Sequence, residues 1–161
     1  MFSDWMTAIE ASRLAEALRS SVWAYPLVNA GHILSVALLV GGTVPLGLRL
    51  LGLWRATPLD PLRRVLARSA DAGLLLAVLF GLLLFIARAS AYVQSPVFVA
   101  KMLVLAGGIA DTLILRIIAS RWAARGGAAG GRTPASLRAA AGVSLAIWPA
   151  VLILGRLIGY F

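Results

Sequence analysis

The chain has 161 residues, 61% of them hydrophobic, and a mean hydropathy of +0.93. That is too apolar for an ordinary soluble domain, which is roughly half apolar. Cysteine is absent, which excludes disulfides, thiolate metal sites and cysteine nucleophiles. The net charge of +9 does not point to nucleic acid, because the arginines gather beside apolar runs with no nucleic-acid-binding motif around them.

The first 21 residues set Asp4, Glu10 and Glu16 against Arg13 and Arg19, and no basic stretch leads directly into an apolar run as in a cleavable signal. Phe2, Trp5, Met6, Ile9, Leu14, Ala17 and Leu18 recur near helical spacing, and Ser3 stands where an N-cap belongs. One amphipathic helix lying at a membrane surface is predicted here, as a segment separate from residues 22–161. Four apolar runs follow, each longer than the ~18 residues that mark a membrane span. The first covers about 23–54, with Pro45 after Gly41 and Gly42 as the natural kink. The stretch "RATPLDPLRRVLARS" reads as a loop holding Arg55, Arg63, Arg64 and Arg68. The second span covers about 71–91, the link "AYVQSP" leads to a third at about 97–120, and a glycine-rich basic loop leads to a fourth at about 139–161. The fold class is all-α: an integral membrane four-helix bundle preceded by an interfacial helix.

Both arginine-rich segments fall on one side of this topology. The positive-inside rule assigns them to the cytoplasm of a bacterial inner membrane and both termini to the periplasm. Trp23, Tyr25, Tyr92 and Tyr160 then share the outer interface. Gly155-x-x-x-Gly159 and the small faces around Gly41, Gly73, Gly81 and Gly108 allow close helix approach, within the chain or in a homo-oligomer.

His32 is the only histidine and lies inside the first span. Tyr25, Asn29, Ser35 and Thr43 share its helix face, forming a polar stripe that must avoid lipid. Nine residues past Trp23, roughly 13 Å along the axis, His32 falls level with Arg88, Lys101 and Met102 in the outer half. Arg49, Asp71, Asp111 and Arg116 form a second set in the inner half, expected to pair as structural ion pairs. A neutral imidazole is the usual axial ligand of haem iron, and Arg88 and Lys101 answer anionic propionates. Haem b bound by His32, with Met102 as a possible sixth ligand and Asn29 and Ser35 beside it, is the leading expectation, for electron transfer or redox sensing. Gly31, Gly107 and Gly108 are expected to leave room for the macrocycle. Copper held at His32, small-solute transport, and a purely structural accessory subunit are the alternatives. No Ser–His–acid set shares one depth, so a hydrolase is not expected.

Several short motifs carry a resemblance. "W-x-Y-P" at Trp23–Pro26, "H-I-L" at His32–Leu34, "L-R-L-L-G" at Leu48–Gly52, "G-L-L-L-F" at Gly81–Phe85, and Tyr92, Phe98 and Lys101 resemble a bacterial family of small four-helix inner-membrane proteins of unknown function. More distantly, the layout over residues 20–120 is similar to the membrane domain of copper-resistance D-type proteins. The resemblance implies that His32, Arg49 and Lys101 occupy motif positions. The chain departs from it at Gly47, where the family often has an acid, and at Phe80, where it has threonine.

Overall fold

The structure is a computed structural model describing residues 2–125 and 133–160, with side chains from Asp4 onward. The side chain of Ser3, the predicted cap, and residues 126–132 of the glycine-rich loop therefore lie outside what is described. The described residues form seven helices: α1 Phe2–Glu10, α2 Arg13–Ser20, α3 Ala24–Leu51, α4 Leu59–Ala87, α5 Ala89–Gln94, α6 Pro96–Ala124 and α7 Ala135–Leu157. The chain is all-α, and α3, α4, α6 and α7 are long and apolar enough to cross a membrane. Only 17–33% of each apolar window is buried within the protein. Leu75, Leu79, Leu103, Leu113 and Ile114 instead stand on the outside, which suits acyl chains and not water. This is the make-up of an integral membrane protein.

The N-terminal segment forms two helices where one was predicted. Ser12 is extended, and its hydroxyl accepts from Ala15 N at 3.3 Å, so it caps a new helix instead of continuing the old one. Ala15 and Leu18 are buried beneath α2, while Trp5 and Leu14 remain exposed. Two hydrogen-bonded links dock the pair onto the corner between α4 and α5. Arg19 donates to the Ala87 carbonyl at 3.0 Å and to the Glu10 carbonyl at 2.7 Å. Glu10 Oε1 accepts from Ser90 N at 2.9 Å and from Ser90 Oγ at 2.7 Å. The Ser90 hydroxyl, and after it the Ser90 N–H, hold the Glu10 carboxyl below its ordinary pKa.

Helix α3 runs unbroken through Pro45 and stops at Leu51. Gly52, at φ 114°, lets its own N–H reach Arg49 O at 3.1 Å while Leu53 N reaches Leu48 O at 3.0 Å, a Schellman ending that only a left-handed residue permits. The predicted arginine loop is mostly helix. Helix α4 begins at Leu59, so Arg63, Arg64 and Arg68 ride on it and only Arg55 lies before it. Asp60 in the first turn favours that start, and Pro61 is tolerated there. The predicted outer link is also helical, because α5 restarts after a break at Arg88 (φ −147°, ψ 46°). Helix α6 is initiated by Ser95, whose hydroxyl accepts from Phe98 N at 3.3 Å, with Pro96 at the first helical position.

Helix α3 packs on both α4 and α7, and α6 packs on α7, giving the lateral order α4–α3–α7–α6. One core cluster joins Leu39, Ala70 and Trp148; the other joins Leu50, Ala119, Leu137 and Ala141. At the α3–α4 crossing the backbones touch: a Cβ added at Gly73 would lie 2.4 Å from Leu39 N, and one at Gly42 2.5 Å from Leu66 O. The small faces at Gly73, Gly81, Gly108 and Gly155 are all used within the chain, while Gly41 faces open space.

The bundle has two unlike ends. Trp23, Tyr25, Tyr92 and Tyr160 gather where α3 begins and α7 finishes, as predicted. Here Phe85, Tyr92 and Phe98 stack at centroid distances of 5.3–6.3 Å. Burial, and after it a hydrogen bond with Tyr25, pushes the Tyr92 hydroxyl up to about 12. Arg156 lies over the Tyr160 ring at 5.0 Å. The opposite end carries Arg49, Arg55, Arg63, Arg64, Arg68, Arg121, Arg125 and Arg138.

Candidate functional site

His32 lies eight residues into α3, roughly 12 Å along the axis from Ala24. Its Nδ1 is 3.0 Å from the Ala77 carbonyl of α4. A carbonyl only accepts, so Nδ1 carries the proton and the neutral ring keeps its lone pair on Nε2. The ring reaches that carbonyl because residue 81 is glycine: a Cβ there would stand 3.2 Å from His32 Cε1. Lys101 of α6 is near enough for its ammonium to act electrostatically on the imidazole. Its tail lies along Gly155 of α7, with Nζ 3.5 Å from where a Cβ would be. In the aromatic-end half of the bundle His32 thus joins α3 to α4, and Lys101 of α6 lies against α7. Nε2 has no hydrogen-bond partner among the described residues, so it remains a free electron-pair donor.

The rest of the predicted outer cluster disperses. Ser35 is buried at 2% exposure, but its hydroxyl donates to Gly31 O of its own helix at 2.6 Å. Thr43 likewise turns back on Leu39 O at 2.9 Å. Asn29 is exposed, against the expectation of an inward stripe. Six residues at 100° each set it about 120° around the helix from buried Ser35, so both cannot face inward. Arg88 is exposed at the α4–α5 break, with its charge acting on Tyr92 instead of on His32. Met102 follows Lys101 by one residue, a rotation of ~100°, and is 36% exposed. The glycines predicted to make room for a macrocycle are largely filled. The Phe80 ring lies 2.7 Å from a Cβ at Gly31, and Ile147 lies 2.8 Å from one at Gly108; only Gly107 faces open space.

The inner set splits in two. Asp71 and Arg116 pair across α4 and α6. Arg49 is not in an ion pair; it donates to the carbonyls of Thr57 and Arg55, closing the turn after α3. Asp111 has no cation either. Only 8% exposed, it lies beside Ser144 of α7, and its Oδ2 has no partner. The Trp148 indole N–H, one turn beyond Ser144, is also buried without a partner. Sequence reasoning missed Ser144 and Trp148. The signal was there, since two hydrogen-bonding side chains four apart in an otherwise apolar span mark one face. Glu10–Ser90 and Arg19–Ala87 were missed because nothing local announces a contact across some 70–80 residues of chain.

Among the described residues no three His, Asp or Glu side chains come together to hold a metal ion. No protein-family model, curated protein or solved structure matches this chain.

Proposed function

We propose that this protein is a cofactor-holding inner-membrane protein, with its aromatic end and both termini periplasmic and its arginine-rich end cytoplasmic, in which His32 ligates haem b for electron transfer or redox sensing. The observation that carries this reading is the division of labour on one ring: Nδ1 is fixed to the Ala77 carbonyl, and Nε2 has no hydrogen-bond partner among the described residues. A ligating histidine is ordinarily oriented in this manner. A bare copper ion needs several protein donors, which this site lacks, whereas haem brings four nitrogens of its own and asks the protein for one imidazole. Phe80 over Gly31 closes one side to a macrocycle, so the ring would take the Lys101 side, with that ammonium answering a propionate. Arg88 and Met102 are not needed for this arrangement.

A second reading rests on a specific pattern of contacts. His32–Ala77 joins α3 to α4, Asp71–Arg116 joins α4 to α6, and Asp111–Ser144 joins α6 to α7. On that reading the intramembrane polar groups are helix clasps, and the chain is a structural or accessory subunit. A visible absorption spectrum of detergent-purified protein, after expression with haem supply and with or without dithionite, separates the two. The cofactor reading expects a Soret band that His32→Ala removes. If no band forms, even after haemin is added, and His32→Ala only lowers thermal stability, the clasp reading stands and the haem proposal falls.

A further inference from the structure

Helices α4 and α6 flank the bundle and meet through a few side chains, leaving a groove of about 340 Å³ between them. Leu75 and Val78 of α4 and Ile109 and Leu113 of α6 form its walls, and all four are exposed. Thr112 also lines it, but its hydroxyl is spent on Gly108 O at 2.9 Å, so the wall stays apolar. Stacked Phe85 and Phe98, 5.7 Å apart, bridge α4 and α6 towards the aromatic end, and the Asp71–Arg116 pair bridges them at the arginine end.

The charge around the groove is one-sided. Arg64 and Arg68 precede Asp71 by seven and three residues, so all three lie on the α4 face that continues into Leu75 and Val78. Both arginines are exposed, and neither has an ion-pair partner among the described residues. Asp71 is already matched by Arg116. Beyond Asp71, α4 carries no charge from Ala72 to Ala87, so the arginines stand where headgroups give way to acyl chains. An apolar slot running into surplus arginines is complementary to an amphiphile with an anionic head.

We infer that this groove is a specific site for one anionic phospholipid, with an acyl chain between α4 and α6 and its phosphate held by Arg64 and Arg68. A second copy of the chain fits less well. A partner helix would have to cross the full membrane thickness and would meet both side-chain bridges, whereas a lipid tail ends between them. The inference stands independently of any cofactor at His32.

The test uses the full chain in non-ionic detergent, titrated with phosphatidylglycerol, phosphatidylcholine or glycerol phosphate, and followed by native mass spectrometry and thermal unfolding. Phosphatidylglycerol should give one retained adduct and a raised Tm; phosphatidylcholine should bind far more weakly, and glycerol phosphate should not bind. The double variant Arg64→Gln/Arg68→Gln should weaken phosphatidylglycerol binding by about thirtyfold, since each surface arginine contributes about 1 kcal/mol towards anionic lipid. Both positions are exposed, so folding should be unaffected. Val78→Trp, filling the groove, should remove the adduct while the arginines remain. Equal binding of the two lipids, or a response to glycerol phosphate alone, overturns the inference. So does conversion of a dimer to monomer by Val78→Trp, which would assign the groove to a second copy.

Discussion

Replacing Gly73 by alanine should force α3 and α4 apart. The added Cβ would stand 2.4 Å from Leu39 N and 2.8 Å from both Leu39 Cα and Ser35 O. All three are backbone atoms, so no rotamer change can clear them. Reaching ordinary contact requires the helices to separate by about 1 Å. The same opening would loosen Gly42 against Leu66 and Ala70 and stretch the 3.0 Å His32–Ala77 bond. Overpacking costs ~1–3 kcal/mol, and rigid backbone on the far side argues for the upper end. Alanine's better helix propensity returns about 0.5–1 kcal/mol. The net loss is then about 2 kcal/mol, roughly thirtyfold in the folded-to-unfolded ratio. Gly41→Ala is the matched control, because nothing lies within 4 Å of its added Cβ. It should be neutral or gain up to about 1 kcal/mol from propensity alone. Reversible unfolding in mixed micelles, driven by rising SDS fraction, measures both. Should Gly73→Ala unfold with the wild type, or the two variants shift alike, the backbone contact at this crossing is not what holds α3 to α4.

Docking of α1 and α2 should depend on pH through Glu10. Its folded pKa is depressed below the ordinary 4.5, so the link is at full strength above that value and is lost as pH falls through the folded one. The protection factor of the Ser90 amide against hydrogen exchange should fall across that acidic window in the wild type, and Glu10→Gln should flatten the dependence. At the α6–α7 joint, Ser144→Ala removes the hydroxyl beside the buried Asp111 carboxyl and should cost about 1–3 kcal/mol in the same SDS assay. The double variant Asp111→Leu/Ser144→Ala removes the buried polar group as well and should recover most of that loss; wild-type stability of Ser144→Ala alone would show that this hydroxyl does not support Asp111.

Hydropathy and charge determined the all-α class, four helices fit to span a membrane and the segregation of arginine from aromatic ends. These are summed over ~20 residues at a time, so no single neighbour can overturn them. Helix limits were less legible, because caps are local and compete: Ser12 split one predicted helix, and the arginines after Pro58 continued into α4 instead of remaining loop. The site was legible only as a list of ionisable residues at shared depth. Which of them meet is decided by rotation about each helix axis, and packing sets that rotation to within a fraction of a turn. Burying Ser35 turned Asn29 outward, Phe80 took the space over Gly31, and the absence of side chains at Gly81 and Gly155 left room for His32 and Lys101. Only the tertiary structure could reveal that Asp111 lies beside Ser144 and not beside an arginine, since shared depth pointed to Arg49 and Arg116 and only the rotation of α6 against α7 brings Ser144 to it.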